Sequence, residues 1–103
     1  MSFPISAALL DACVLALLDH KDSYGYEMTQ GLQEGLRVSE STLYPVLRRL
    51  QSAGHLRTYD QPYQGRNRRY YSITDAGLAQ LAQYREDWGA FKVQVDSLLE
   101  GTE

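Results

Sequence analysis

Apolar residues recur at helical spacing from Ile5 to Leu18, where Ala8, Leu9, Ala12, Leu15, Ala16 and Leu18 trace a wide stripe and predict a first helix. Leu10, Cys13, Val14 and Leu17 make the flanks of that stripe apolar too. The pattern therefore predicts a helix covered on two sides, once by its own domain and once by a second subunit. A second helix is predicted from about Tyr24 to Gln33, with Asp22 or Ser23 as its cap and Gly35 as its stop. Gly25 and Gly31 each lower its helix preference by roughly 1 kcal/mol, which close packing against a neighbouring helix would offset. A third helix begins at a cap on Ser39 or Ser41, continues through about Ala53 and stops at Gly54. If Ser41 is the cap, Pro45 removes only the first intrahelical bond. The helical period turns Leu43, Val46, Leu47 and Leu50 inward and leaves Ser41, Thr42, Tyr44, Pro45, Arg48 and Arg49 outward.

Beyond Gly54 the period changes to that of strands. One is predicted over about His55 to Tyr59 with Leu56 inward. A second, Arg68 to Ile73, puts Tyr71 and Ile73 on one face and Arg68 and Tyr70 on the other. Between them DQPYQGRN carries Pro62, Gly65 and Asn67, which punctuate a hairpin that delivers Arg66, Arg68 and Arg69 at or near its tip. Thr74 with Asp75 then caps a last helix extending to about Leu99. In it Leu81, Tyr84, Trp88, Phe91, Val95 and Leu98 recur at steps of three and four, the seam of a coiled coil. So short a seam needs help from the first helix, whose second apolar flank would supply it, and Leu9 is expected at the same dimer interface. The predicted fold is mainly α with a small β-hairpin: a winged helix-turn-helix over residues 1–74 and a C-terminal dimerisation helix over residues 75–103.

Charge sharpens this picture. The chain has 103 residues and a net charge of −3. Residues 39–74 alone carry six arginines against Glu40 and Asp60, or +4, while the remainder carries −7. An acidic protein that gathers its positive charge on one segment is built to meet a polyanion there. Hydroxyls near the start of the third helix suit phosphate oxygens. An arginine one turn later can read guanine O6 and N7 in a major groove. Two arginines on a helix also describe an ordinary solvated face, and arginines on a hairpin can guard an edge strand against aggregation. Their succession at winged-helix spacing favours DNA.

Other classes of chemistry find little support. His20 and His55 have no spacing that sets them beside Cys13 or a carboxylate pair, and no Cys/His/Asp cluster fits a metal, so neither an enzyme nor a bound cofactor is expected. A single cysteine excludes an internal disulfide and suits a cytoplasmic protein. The run SAALLDACVLALL lacks a preceding basic residue, is interrupted by Asp11 and is too short to span a bilayer. The residues leave one rival open, an interaction module whose winged helix meets a protein rather than DNA.

YGYEM at Tyr24–Met28, SESTLYPVLRRLQSAGHL at Ser39–Leu56, GRNRRYYSITDAG at Gly65–Gly77, and Trp88 together resemble the PadR family of transcriptional regulators, in the small form with one C-terminal helix. The resemblance spans nearly the whole chain. It implies a homodimeric repressor on a palindromic double-stranded DNA operator, dimerised through its first and last helices. It places Ser41, Thr42, Tyr44 and Arg48 on the recognition helix, Tyr24 and Tyr26 at the start of the buttressing helix, and Arg66, Arg68 and Arg69 on the wing. It also implies that Trp88 can stack on a flat aromatic effector at the dimer centre, although a tryptophan at a heptad core position equally suits plain packing.

Overall fold

A computed structural model describes residues 5–101, so the outermost ends of both expected spans lie outside the described residues. Helix α1 spans Ala7–His20 and starts two residues later than expected, because Ser6 caps it by accepting from the Leu9 amide at 3.1 Å. Its buried face shares only Leu15 and Leu18 with the stripe expected from the sequence. Leu10, Asp11, Val14, Leu15 and Leu18 are buried, while Leu9, Ala12, Cys13 and Ala16 are only partly covered.

Residues 23–24 correct the expected helix boundary. They form a short strand, β1 (Ser23–Tyr24), paired with the wing, and neither Asp22 nor Ser23 caps the next helix. Helix α2 (Gly25–Leu36) runs past Gly35 and ends at Arg37, which takes the left-handed conformation (φ 56°) and donates its amide to the Gln33 carbonyl at 3.3 Å. Helix α3 (Glu40–Ser52) is capped by Ser39, whose Oγ accepts from the Thr42 amide. With Ser39 as cap, Pro45 lies deeper in the helix than a cap at Ser41 would have put it, and the Ser41 carbonyl loses its helical donor. Four inward residues anchor α3 nonetheless: Leu43, Val46, Leu47 and Leu50 are all buried, as their period requires.

Strands β2 (Leu56–Tyr63) and β3 (Arg66–Ile73) pair antiparallel along their full length, from Leu56 opposite Ile73 to Tyr63 opposite Arg66. The expected long loop is therefore mostly ladder. Only Gln64 and Gly65 turn the chain, both with positive φ (51° and 78°), as a two-residue hairpin turn demands. The sheet order is β1-β3-β2, which makes β2 an edge.

Helix α4 (Asp75–Glu100) is capped by Thr74, which accepts from the Gly77 amide at 3.0 Å and donates to the Gly54 carbonyl at 2.7 Å. A Cβ on Gly77 would lie 2.3 Å from the His55 carbonyl oxygen, so glycine is what lets α4 start against the α3–β2 junction. Leu81 follows one turn later at 2 % exposure and joins the core built by α1, α2 and α3. This corrects its assignment to a dimer seam: the protomer buries it. Past Leu81 the helix leaves the core, with Phe91, Val93, Leu98 and Leu99 all more than half exposed.

Candidate nucleic-acid interface

The outer face of α3 begins with a cluster of hydroxyls. Ser39 Oγ stands 3.0 Å from Ser41 Oγ and 3.1 Å from Thr42 Oγ1, all exposed, at the positive end of the helix dipole. One turn on, Tyr44 seats its hydroxyl over Gly25, the first residue of α2. A Cβ there would lie 2.6 Å from the Tyr44 oxygen, so this glycine does compensate its helix cost by close packing. Gly31 faces Leu17 at ordinary contact distance.

Arg48 is exposed and makes no side-chain hydrogen bond or ion pair among the described residues. Arg49, expected on the same outward face, does not belong to it. Its guanidinium turns back to α1 and pairs with both carboxylate oxygens of Asp11, whose side chain is 11 % exposed. Two arginines adjacent in sequence thus have different tasks, because successive helical side chains point roughly 100° apart.

The wing arginines also differ among themselves. Arg66, opposite Tyr63 in the last rung, is exposed and unpaired among the described residues. Arg69 forms an exposed ion pair with Asp60 at 3.5 Å, its cross-strand neighbour. Arg68 is sandwiched, with its guanidinium 3.4 Å from the Tyr63 ring centre and 4.0 Å from that of Tyr24, and it donates to the Tyr70 hydroxyl at 3.3 Å. The stack continues: Tyr24 meets Tyr70 edge-on, Tyr70 lies parallel to Tyr59, and Tyr59 donates to Asp22 at 2.6 Å. That bond holds the Tyr59 phenol above its ordinary pKa. Arg68 and Tyr24 therefore fasten the wing to the start of α2.

These elements enclose an open groove of about 1050 Å³ between α3 and the wing. Tyr24, Tyr26, Tyr44, Arg48, Arg66, Arg68 and Arg69 all line it, whereas Ser41 and Thr42 stand outside it on the N-terminal shoulder of α3. Sequence reasoning missed Glu40, Gln51, Asn67 and Tyr71, which line it too. Gln51 could have been found, since it follows Arg48 by three residues and shares its face. Tyr71 could not, because its burial marks it as core. That burial pushes its phenol pKa up, while the charges of Arg69 and Arg48 oppose the shift.

A second, apolar region lies between α1 and α4. Tyr84 and Trp88 separate two grooves of about 370 and 360 Å³, both floored by Leu9 and Ala12. Trp88 is 43 % exposed, and Phe91 sits tilted beside it at 6.3 Å between ring centres. Tyr84 packs partly on the core, Val95 is half-buried and Leu98 is exposed. Val93 and Leu99, absent from the expected seam, are equally exposed. No described helix is long and apolar enough to cross a membrane.

Comparison with known proteins identifies relatives of this arrangement. The model of the transcriptional regulator PadR-like family matches residues 14–83. A transcriptional regulator of Mycobacterium tuberculosis is 41% identical over 75 residues, which cover 69% of this chain and 70% of that protein. A Streptococcus mutans protein of known structure superposes with a TM-score of 0.90 at 41% identity, covering 100% of this chain and 97% of that one. A PadR-like transcriptional regulator of Bacillus cereus gives a TM-score of 0.81 at 35% identity, covering 87% and 90%.

Proposed function

Because the chain belongs to the PadR-like family of transcriptional regulators, and so acts by binding DNA rather than as an enzyme, we propose that it is a homodimeric repressor of a palindromic operator. In this reading Arg48, with Tyr44 and Gln51 beside it, reads base edges in the major groove. Ser41, Thr42 and Tyr26 hold the adjacent phosphates. Arg66 meets the phosphate backbone, and Arg68 and Tyr24 keep the wing at the height that lets it do so. The observation that carries the proposal is the convergence of α3 and the wing on one arginine-lined groove. A single copy offers few base contacts, and specific sites are read by paired copies. The apolar end of α4, with Leu9, Tyr84, Phe91, Val95 and Leu98, supplies a surface for that pairing.

The grooves beside Trp88 have the size of small-ligand sites, which begin near roughly 300 Å³. Their apolar lining suits a flat aromatic compound, whose binding between subunits would alter half-site spacing and release the operator.

Selecting duplexes from a random pool with the native chain tests this reading. It predicts inverted half-sites with centres about 34–36 Å apart, one helical turn. Arg48→Ala should then lose about 1–3 kcal/mol of binding and relax one base preference, whereas Arg66→Ala should weaken all duplexes alike. Selection of no duplex at low salt, with a protein partner bound instead, would leave only the interaction-module reading.

A further inference from the structure

Helix α3 is joined to α1 by a part-buried ion pair whose carboxylate is buried and whose guanidinium is half-exposed. Asp11 is the only carboxylate buried among the described residues, and the guanidinium that satisfies it comes from Arg49 of α3. Removing the partner of a buried charge is far more damaging than removing both. A shift of α3 that withdraws Arg49 leaves the Asp11 carboxylate, 11 % exposed, without its partner.

Asp11 sits at a boundary on α1. Leu10 before it belongs to the core, while Ala12 after it floors both grooves beside Trp88. Tyr84 of α4 lines both grooves beside Ala12 and packs on the core. The Tyr84 phenol lies within electrostatic reach of the pair: burial raises its pKa, the charge of Asp11 adds to that, and Arg49 opposes it. Three helices thus meet at Asp11 and Arg49. Arg48, the residue before Arg49, lines the groove between α3 and the wing. A rotation of α3 that lengthens the Arg49–Asp11 bond also swings Arg48.

We propose that the Asp11–Arg49 pair is the positioning contact of the reading helix, making the orientation of Arg48 depend on how Tyr84 and its neighbour Trp88 pack against α1. The inference rests on the DNA-binding reading above. Arg49 touches no base in it and acts only through the set of α3. Because coupling between two sites is reciprocal, DNA bound at α3 must also be felt at Trp88, the only tryptophan of the chain.

The experiment follows Trp88 fluorescence while a duplex enriched by the native chain is titrated into four proteins: native, Asp11→Asn, Arg49→Lys and the double variant Asp11→Leu/Arg49→Met. The double variant removes both charges and guards against loss of fold, which circular dichroism and melting verify for each chain. The native chain should change its emission on saturation. The Asp11→Asn and double variants should bind at least about fivefold more weakly and lose most of that emission change, while Arg49→Lys, which keeps a cation opposite Asp11, retains it. Folded variants that bind and respond as the native chain does would overturn the inference. So would weaker binding with an undiminished response, since a merely structural pair predicts that. A native chain that binds duplex with no change at Trp88 would overturn it as well. A native chain that enriches no duplex would instead bring down the DNA-binding reading, and the inference with it.

Discussion

Replacing Gly25 with alanine separates the stability of this fold from its ability to read DNA. The new Cβ would stand 2.6 Å from the Tyr44 hydroxyl and 3.2 Å from Cζ, where ordinary contact begins near 3.4 Å, so the phenol must retreat by about 0.8 Å. The exposed side of Tyr44 is open to solvent, and the ring can move there. Forcing it off its rotamer costs about 0.5–1.5 kcal/mol. Alanine in place of glycine returns up to ~1 kcal/mol of helix preference, less at a first helical position. The two nearly cancel, so the melting temperature should shift by no more than about 4–8 °C. DNA affinity should respond differently if, as proposed, the Tyr44 hydroxyl meets the duplex, since the displaced group would lose that contact. Loss of one ordinary hydrogen bond, about 1 kcal/mol, lowers affinity about fivefold. The assay is a pair of titrations by fluorescence anisotropy, with Gly25→Ala made in the native chain and again in Tyr44→Phe, where the crowded oxygen is gone. The substitution should weaken binding in the first background and have little further effect in the second. Equal losses in both, or native affinity in the single variant, would refute the role given to the Gly25–Tyr44 seat.

Leu81 and Leu98 should behave oppositely on truncation to alanine. Leu81, at 2 % exposure, should cost the protomer about 2–5 kcal/mol in chemical denaturation, whereas Leu98, at 84 %, should leave protomer stability within ±0.5 kcal/mol while weakening self-association in sedimentation. Gly77→Ala should destabilise by about 1–3 kcal/mol, since its Cβ meets the His55 carbonyl and Ile73, neither of which can withdraw cheaply. Burial holds the Cys13 thiol above its ordinary pKa, so the folded chain should be alkylated more slowly than the urea-unfolded chain at mildly alkaline pH. The sign for stability follows: the thiol's contribution is fully present below the unfolded pKa and is lost as pH rises toward the folded one.

Much of this architecture was legible in the sequence, and the failures share a cause. The inward face of α3 could be read because Leu43, Val46, Leu47 and Leu50 fit a 3.6-residue period and nothing competes with it. Strand β1 could not, because two residues carry no period; only pairing with Tyr70 and Tyr71 defines it. The hairpin was read as a long loop because Pro62 and Gly65 look like breaks. On the edge strand β2, however, Pro62 occupies a regular rung opposite Asn67, a position where its missing donor is tolerated. Arg48 and Arg49 are chemically identical neighbours, and what divides them is Asp11, distant in sequence. Leu81 fits a heptad seam as well as any residue on α4. Periodicity says that a side chain is buried, not which molecule buries it.

The candidate site followed the same rule. Residue types and order singled out α3, the start of α2 and the wing, and seven of the aromatic and arginine side chains named there line one groove. The division of labour among the arginines was invisible, since it depends on the Tyr24–Arg68–Tyr63 sandwich and on the pairing of Arg69 with Asp60.

In the proposed complex Arg66 meets the DNA backbone and Arg48 the base edges of one groove. The most direct test is duplex affinity measured against salt for the native chain, Arg48→Ala and Arg66→Ala. Log affinity should fall straight and steeply with log salt for the native chain, with a slope shallower by about 1 for Arg66→Ala. A slope near zero, or slopes identical in all three chains, would contradict that reading.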